Sequence, residues 1–146
     1  MARGMRDDEQ GGAAMLIKIE VETHRKTEMV DISSEVKAAV ARSGVRAGWC
    51  IVWVPHTTAG LTVNENADPA VKKDLLAALD RLVPSDGRYE HSEGNSPGHI
   101  KSTLCGHGAT LIVDGGEPVL GTWQGIYFME FDGPRRRRAL VKVVEG

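Results

Sequence analysis

Only two cysteines occur in 146 residues, and they form no CxxC pair, so neither a disulfide-stapled fold nor a redox motif is expected. Cys50 lies inside the apolar run Trp49–Val54 and reads as a small buried thiol; Cys105 draws notice only because His99 and His107 are near it in sequence. No apolar run approaches the roughly 20 residues that cross a bilayer, and the polar start lacks the apolar segment of a signal peptide. The expectation is a cytoplasmic protein with no membrane partner. Aromatic residues make up 5% of the chain and its net charge is −2, leaving neither a broad basic face nor a stacking platform, so nucleic acid is not an expected partner. A glycine-rich phosphate cradle of the P-loop kind is also missing.

What is present is a globular composition, 41% apolar and 26% charged. Residues 1–14 are rich in glycine and charge without apolar period and read as a flexible tail; residues 15–146 read as one domain. Leu16–Glu22 alternates as a half-buried strand, and Thr27–Ile32 reads as a second strand returning beside it. A helix capped at Asp31 or Ser33 runs to about Ser43, before Gly44. The unbroken apolar run Trp49–Val54 predicts a central strand buried on both faces, and a further strand resumes at Leu61–Val63. Asp68-Pro69 opens a second helix, whose stripe Val71, Leu75, Ala78, Leu79 and Leu82 ends before Pro84. After the aperiodic stretch Ser85–Gly98 comes a short helix from His99 to Leu104. Ala109–Val113, the turn Asp114-Gly115-Gly116 and Val119–Phe131 predict a hairpin, and Arg138–Val144 a last strand. The order is ββαββαβββ with a small inserted helix, an α+β fold.

The candidate chemistry gathers between Pro55 and Ser102. His56 closes the buried strand, and His91 and His99 bracket the aperiodic stretch; three neutral imidazoles with an open position make a catalytic zinc shell, and nearby carboxylates can orient the rings. Their separations of 35 and 8 residues match no compact metal motif. Asn64, Glu65, Asn66 and Asp68 place side-chain oxygens at the start of the long helix, whose free N–H groups suit an anion; Asp68 as a plain cap weighs equally. Lys101 and Ser102 add a charged donor and a hydroxyl. Trp123 and Gln124, between two glycines, offer a ring to stack on a pyrimidine and an amide to read its edge, against the simpler reading of a core tryptophan beside a bulge. In the run Arg135–Arg138, alternate side chains face opposite ways on a strand, and Arg135, nearest the turn, is placed to reach an anionic substrate. His24 reads as a surface-turn residue, while His107, flanked by Gly106 and Gly108, reads equally as a loop tip or as a fourth member of the histidine group.

Three long motifs in fixed order carry a resemblance. They are Pro55–Asn66 with Asp68-Pro69; Tyr89-Glu90-His91 with Glu93-Gly94 and His99–Ser102; and Leu120–Ile126 followed by Glu130 and Arg135. Together they resemble the YjbQ family, described as secondary thiamine-phosphate synthases, and the likeness spans Leu16 to the C-terminus. The resemblance implies a ββαββαβββ sandwich-like domain assembling as a homotrimer, with a divalent metal, zinc or magnesium, at the histidines matching His56, His91 and His99. It implies joining of a pyrimidine diphosphate to a thiazole phosphate, releasing pyrophosphate, as a weak activity; a non-catalytic metal- or ligand-binding trimer is the alternative. The residues expected to act are His56, Glu65, His99 and Lys101 in catalysis. Asn64, Asn66, Asp68, Ser102, Trp123, Gln124 and Arg135 are expected to hold a small phosphorylated substrate.

Overall fold

The computed structural model describes the backbone of residues 2–7 and 15–146, with side chains from Leu16 onward. Strands β1 (Ala2–Asp7), β2 (Met15–Glu22), β9 (Arg136–Glu145), β4 (Ala47–Trp53), β6 (Gly108–Asp114) and β7 (Glu117–Pro118) form one sheet in that spatial order. Strands β3 (Glu28–Asp31), β8 (Gln124–Glu130) and β5 (Ala59–Glu65) form a second. All pairings are antiparallel. Part of the stretch expected as a tail, Ala2–Asp7, is thus an edge strand on β2; residues 1 and 8–14 lie outside the described residues.

Ile17, Ile19 and Val21 of β2 and Ala139, Val141 and Val143 of β9 point inward at every second position and meet Leu61, Ile126 and Phe128 of the smaller sheet. Helix α1 (Ser33–Ser43) joins this core through Val36, Ala39 and Val40. On the other face of the smaller sheet, Met29, Tyr127, Met129 and Phe131 form a second cluster, flanked by Leu75, Leu76 and Leu79 of α2 (Pro69–Leu82). Asp68 caps α2, accepting the Ala70 N–H at 2.9 Å, with Pro69 in the first turn as the sequence predicts. Strand β8 therefore has both faces covered, being buried from Gly125 to Glu130.

That role was expected of Trp49–Val54, and the structure corrects it. Cys50 and Val52 face the core, while Trp49, Ile51 and Trp53 are exposed on the outer face of the large sheet, because nothing among the described residues covers that face. Antiparallel sheets need only one covered face, and a continuous apolar run does not distinguish the two situations. Two hairpins are corrected as well. Strand β3 pairs with β8 and not with β2. Strand β6, paired on one side with β4, turns back on the other only into the two-residue β7, after a turn in which Gly115 and Gly116 have φ of 60° and 78°. Residues 119–123 then carry the chain to the other sheet. Helix α3 spans Ser96–Cys105, one turn earlier than expected, because Pro97 is tolerated in a first turn.

Three connections between the sheets lie together: Thr23–Thr27 from β2 to β3, Val54–Thr58 from β4 to β5, and Phe131–Arg135 from β8 to β9. The Thr23 N–H donates to the Arg135 carbonyl at 3.0 Å, Phe131 to Thr58 at 3.1 Å, and Gly133 to Lys26 at 3.0 Å. A Cβ on Gly133 would collide with the Arg25 carbonyl oxygen, and one on Gly98 of α3 would sit 3.0 Å from the Phe131 carbonyl oxygen. Glycine at both places lets the crossings and α3 pack closely. The resulting rigid corner carries the site.

Candidate active site

A buried ion pair anchors the corner. Glu130 is 0% exposed, and the Arg137 guanidinium meets it through Nη2 to Oε2 at 2.6 Å and Nε to Oε1 at 2.9 Å. The Thr23 hydroxyl donates to Oε1 at 2.7 Å, and the Phe131 and Asp132 N–H groups donate to Oε2 at 3.1 and 3.2 Å. Arg137 Nη2 also donates to Thr58 Oγ1 at 2.8 Å. Beside this pair, Asp132 accepts Lys26 Nζ at 2.6 Å, Asn95 Nδ2 at 2.9 Å and Arg135 Nη2 at 2.9 Å.

Burial by itself raises the pKa of Glu130, but the hydrogen bonds from Arg137, Thr23 and the Asp132 amide outweigh it and hold the carboxyl below its usual range. Asp132 behaves alike: Lys26 and Asn95, with Arg135, overcome its burial. Both carboxyls thus bind protons less readily folded than unfolded. Their contribution to stability is complete above about pH 5 and is lost as pH falls through their lowered folded values. Thermal unfolding followed from pH 7 to 3 is expected to show this fall, and Glu130→Gln should flatten it; an unchanged pH profile in that variant would remove Glu130 as a cause.

Above the corner opens a cleft of about 690 Å³, and four of the five histidines line it: His56, His91, His99 and His107. The His56 Nε2 accepts the Arg138 backbone N–H at 3.1 Å, so the neutral ring carries its proton on Nδ1. Burial, then the charges of Arg137 and Arg138, push the His56 pKa down and keep the ring neutral at pH 7. His91 and His99 face each other with ring centres 5.3 Å apart at 76°. Arg135 and Arg137 supply guanidinium groups to the same cleft.

The structure thus brings together four of the expected site residues, His56, His91, His99 and Arg135. It places the others elsewhere. Lys101 is 4% exposed, its ammonium is ion-paired with Asp80 of α2, and it lines a separate cleft of about 340 Å³. Ser102 is buried, bonded to the Ala59 carbonyl and to His107. Glu65 and its neighbours Asn64 and Asn66 stand at the far end of β5, about 20 Å of strand from the corner at 3.3 Å per residue. Gln124 pairs with Glu65 there and holds the Gly121 N–H at 2.8 Å, and Trp123 is 62% exposed. Asp68 is engaged as the cap of α2.

Among the described residues no group of three His, Cys, Asp or Glu side chains is arranged as a metal shell. Sequence reasoning missed the Glu130–Arg137 pair and Asp132, and left His107 undecided. A carboxylate within the buried run Ile126–Phe131, with four arginines a turn away, was the available signal for the pair.

Fold and site define a class: a two-sheet antiparallel α+β domain whose polar cleft sits where strands change sheets. The model of the family described as "UPF0047 protein YjbQ-like" matches residues 17–146, and this chain belongs to that family. It is 50% identical over 130 residues to the UPF0047 protein MJ1081 of Methanocaldococcus jannaschii, covering 89% of this chain and 94% of that one. It is 46% identical to the UPF0047 protein YugU of Bacillus subtilis, covering 89% and 99%. The crystal structure of a YjbQ/UPF0047 family protein from Clostridium acetobutylicum is similar, with a TM-score of 0.86 at 50% identity over 88% of this chain and 99% of that one. A YbjQ-like protein from Sulfolobus solfataricus gives 0.87 at 31% identity, over 91% and 98%.

Proposed function

We propose that this chain is a small-molecule enzyme with weak thiamine-phosphate synthase activity, joining a pyrimidine diphosphate to a thiazole phosphate and releasing pyrophosphate in the histidine cleft. The observation that carries the reading is one cleft gathering four imidazoles and two guanidinium groups on a rigid corner. Pyrophosphate departs with charge that must be stabilised, and fixed donors aimed at developing charge are usually the largest catalytic contribution. Arg135, half exposed while anchored by Asp132, is the side chain placed to meet that charge, with His56 donating from Nδ1. Both guanidinium groups are already balanced by carboxylates, which fits a loosely held diphosphate and slow turnover. A divalent ion belongs to the proposal only through His91 and His99, the two expected ligands whose rings meet edge to face, and no chemical step is assigned to it. The assay is product formation from the two purified precursors, with a chelator control and Arg135→Gln. Activity surviving Arg135→Gln unchanged would overturn the role given to Arg135.

The paired state of these charges also favours a second reading, a ligand-binding trimer in which the synthase activity is incidental. Under either reading the chain is proposed to be cytoplasmic and homotrimeric; no helix of the described residues is long and apolar enough to cross a membrane. Trimer formation is supported by the bare outer face of the large sheet, where Trp49, Ile51, Trp53 and Ile112 lie on adjoining strands with 36–67% of their surface exposed. Strand β8 is covered within the chain and adds nothing to this face. Light scattering is expected to give three times the chain mass, and Ile51→Lys to lower it. A wild-type monomer at micromolar concentration would exclude the trimer.

A further inference from the structure

Ser102 determines which nitrogen of His107 carries the proton. Its hydroxyl, 1% exposed as a residue, lies 2.8 Å from the Ala59 carbonyl oxygen and 2.8 Å from His107 Nε2. A carbonyl oxygen only accepts, so the single hydroxyl proton goes to Ala59. Ser102 Oγ is then left with lone pairs toward the ring, and the second contact closes only if His107 Nε2 bears hydrogen. In the neutral ring Nδ1 is therefore the bare acceptor. No donor among the described residues meets Nδ1, and it is not among the buried unpartnered atoms, so it is open to solvent where the ring lines the cleft. The ring is steadied by Trp53, its centre 5.8 Å away, and by the Val54 N–H held to the His107 carbonyl at 2.7 Å.

The cleft's other fixed groups mostly donate. Arg135 and Arg137 are donors, and His56, locked in the opposite tautomer, offers Nδ1–H. Other acceptors line the cleft too: Glu93 is an exposed carboxylate on a loop, Asn95 Oδ1 is buried without a partner, and no hydrogen bond among the described residues fixes the side chains of His91, His99 or Thr57. We propose that His107 is a fixed, solvent-facing hydrogen-bond acceptor of the cleft for its ligand, taking an N–H from the exocyclic amine of an aminopyrimidine at Nδ1. This rests on reading the cleft as the substrate site. It names the group the substrate must present there, and it makes His107 a binding residue.

The test uses 5-hydroxymethyl-2-methylpyrimidin-4-amine as probe, beside the analogue carrying a methyl group in place of the amine. Nitrogen-15 NMR of histidine-labelled wild type should show His107 with its proton on Nε2, and its Nδ1 resonance should move when the aminopyrimidine is added. His107→Gln keeps an amide N–H for Ser102 but has no acceptor at the Nδ1 position. It should unfold at nearly the wild-type temperature, bind the aminopyrimidine about tenfold more weakly, and bind the methyl analogue as wild type does. Ser102→Ala, which frees the tautomer, should weaken the aminopyrimidine alone by a smaller factor. A proton on Nδ1, an equal loss for both probes, or a wild type that does not bind the aminopyrimidine would overturn the proposal. Binding with the expected pattern but no product from the diphosphate would overturn only the synthase reading.

Discussion

Replacing Arg137 with methionine is expected to destabilise the fold by about 3–5 kcal/mol, because it strips the counter-ion from a carboxylate with no route to water. Glu130 is 0% exposed and its two oxygens collect five of the hydrogen bonds that tie β8, β9 and the Thr23 crossing together. Without the guanidinium, the carboxyl must be protonated or the corner must open. The double variant Glu130→Gln with Arg137→Met should recover a large part of the loss, since an uncharged amide tolerates the interior better than an unpaired carboxylate. Chemical denaturation of the three proteins at pH 7 measures this. Equal destabilisation in the single Arg137→Met and the double variant would mean that packing, and not charge, holds the corner.

His56→Ala is expected to lower kcat/KM for thiamine phosphate formation by about 100-fold, the range for removal of a positioned donor. The ring sits where the sheets part, its Nε2 occupied by the Arg138 N–H and its Nδ1–H free for substrate. His56→Gln separates position from chemistry: its amide oxygen can still accept from Arg138, so folding should be spared while activity falls. The burial and the arginine charges that lower the His56 pKa also imply that activity persists below pH 6.5 and declines once the ring protonates. Full activity in His56→Ala would remove this side chain from the mechanism.

How much of this was legible in the sequence varies with the range of the interaction. Helix α2 could be read directly, since Asp68, Pro69 and the leucine stripe act within a few residues of one another. Strand β2 was equally plain, because alternation is a local pattern. Which strand pairs with which was not, because nothing local says that the chain changes sheets at Thr23–Thr27 and again at residues 119–123. Trp49–Val54 shows the same limit, its apolar run being compatible with two covered faces or with one bare face awaiting a partner. That His56, His91 and His99 line one cleft was anticipated, yet the polar cluster Asn64–Asn66, close to His56 in sequence, stands at the opposite end of β5 because an extended strand carries it there. His107 read equally as a loop tip between glycines. Its bond to Ser102 depends on how α3 ends at Gly106, a geometry the sequence does not display.

The most direct test of the central claim, that ligand binds where the strands change sheets, is a crystal structure of the protein soaked with the pyrimidine diphosphate. The account predicts density for the pyrimidine beside His56 and His107, with the diphosphate against Arg135. Density confined to the far end of β5, around Asn64 and Trp123, with the histidine cleft empty, would contradict it.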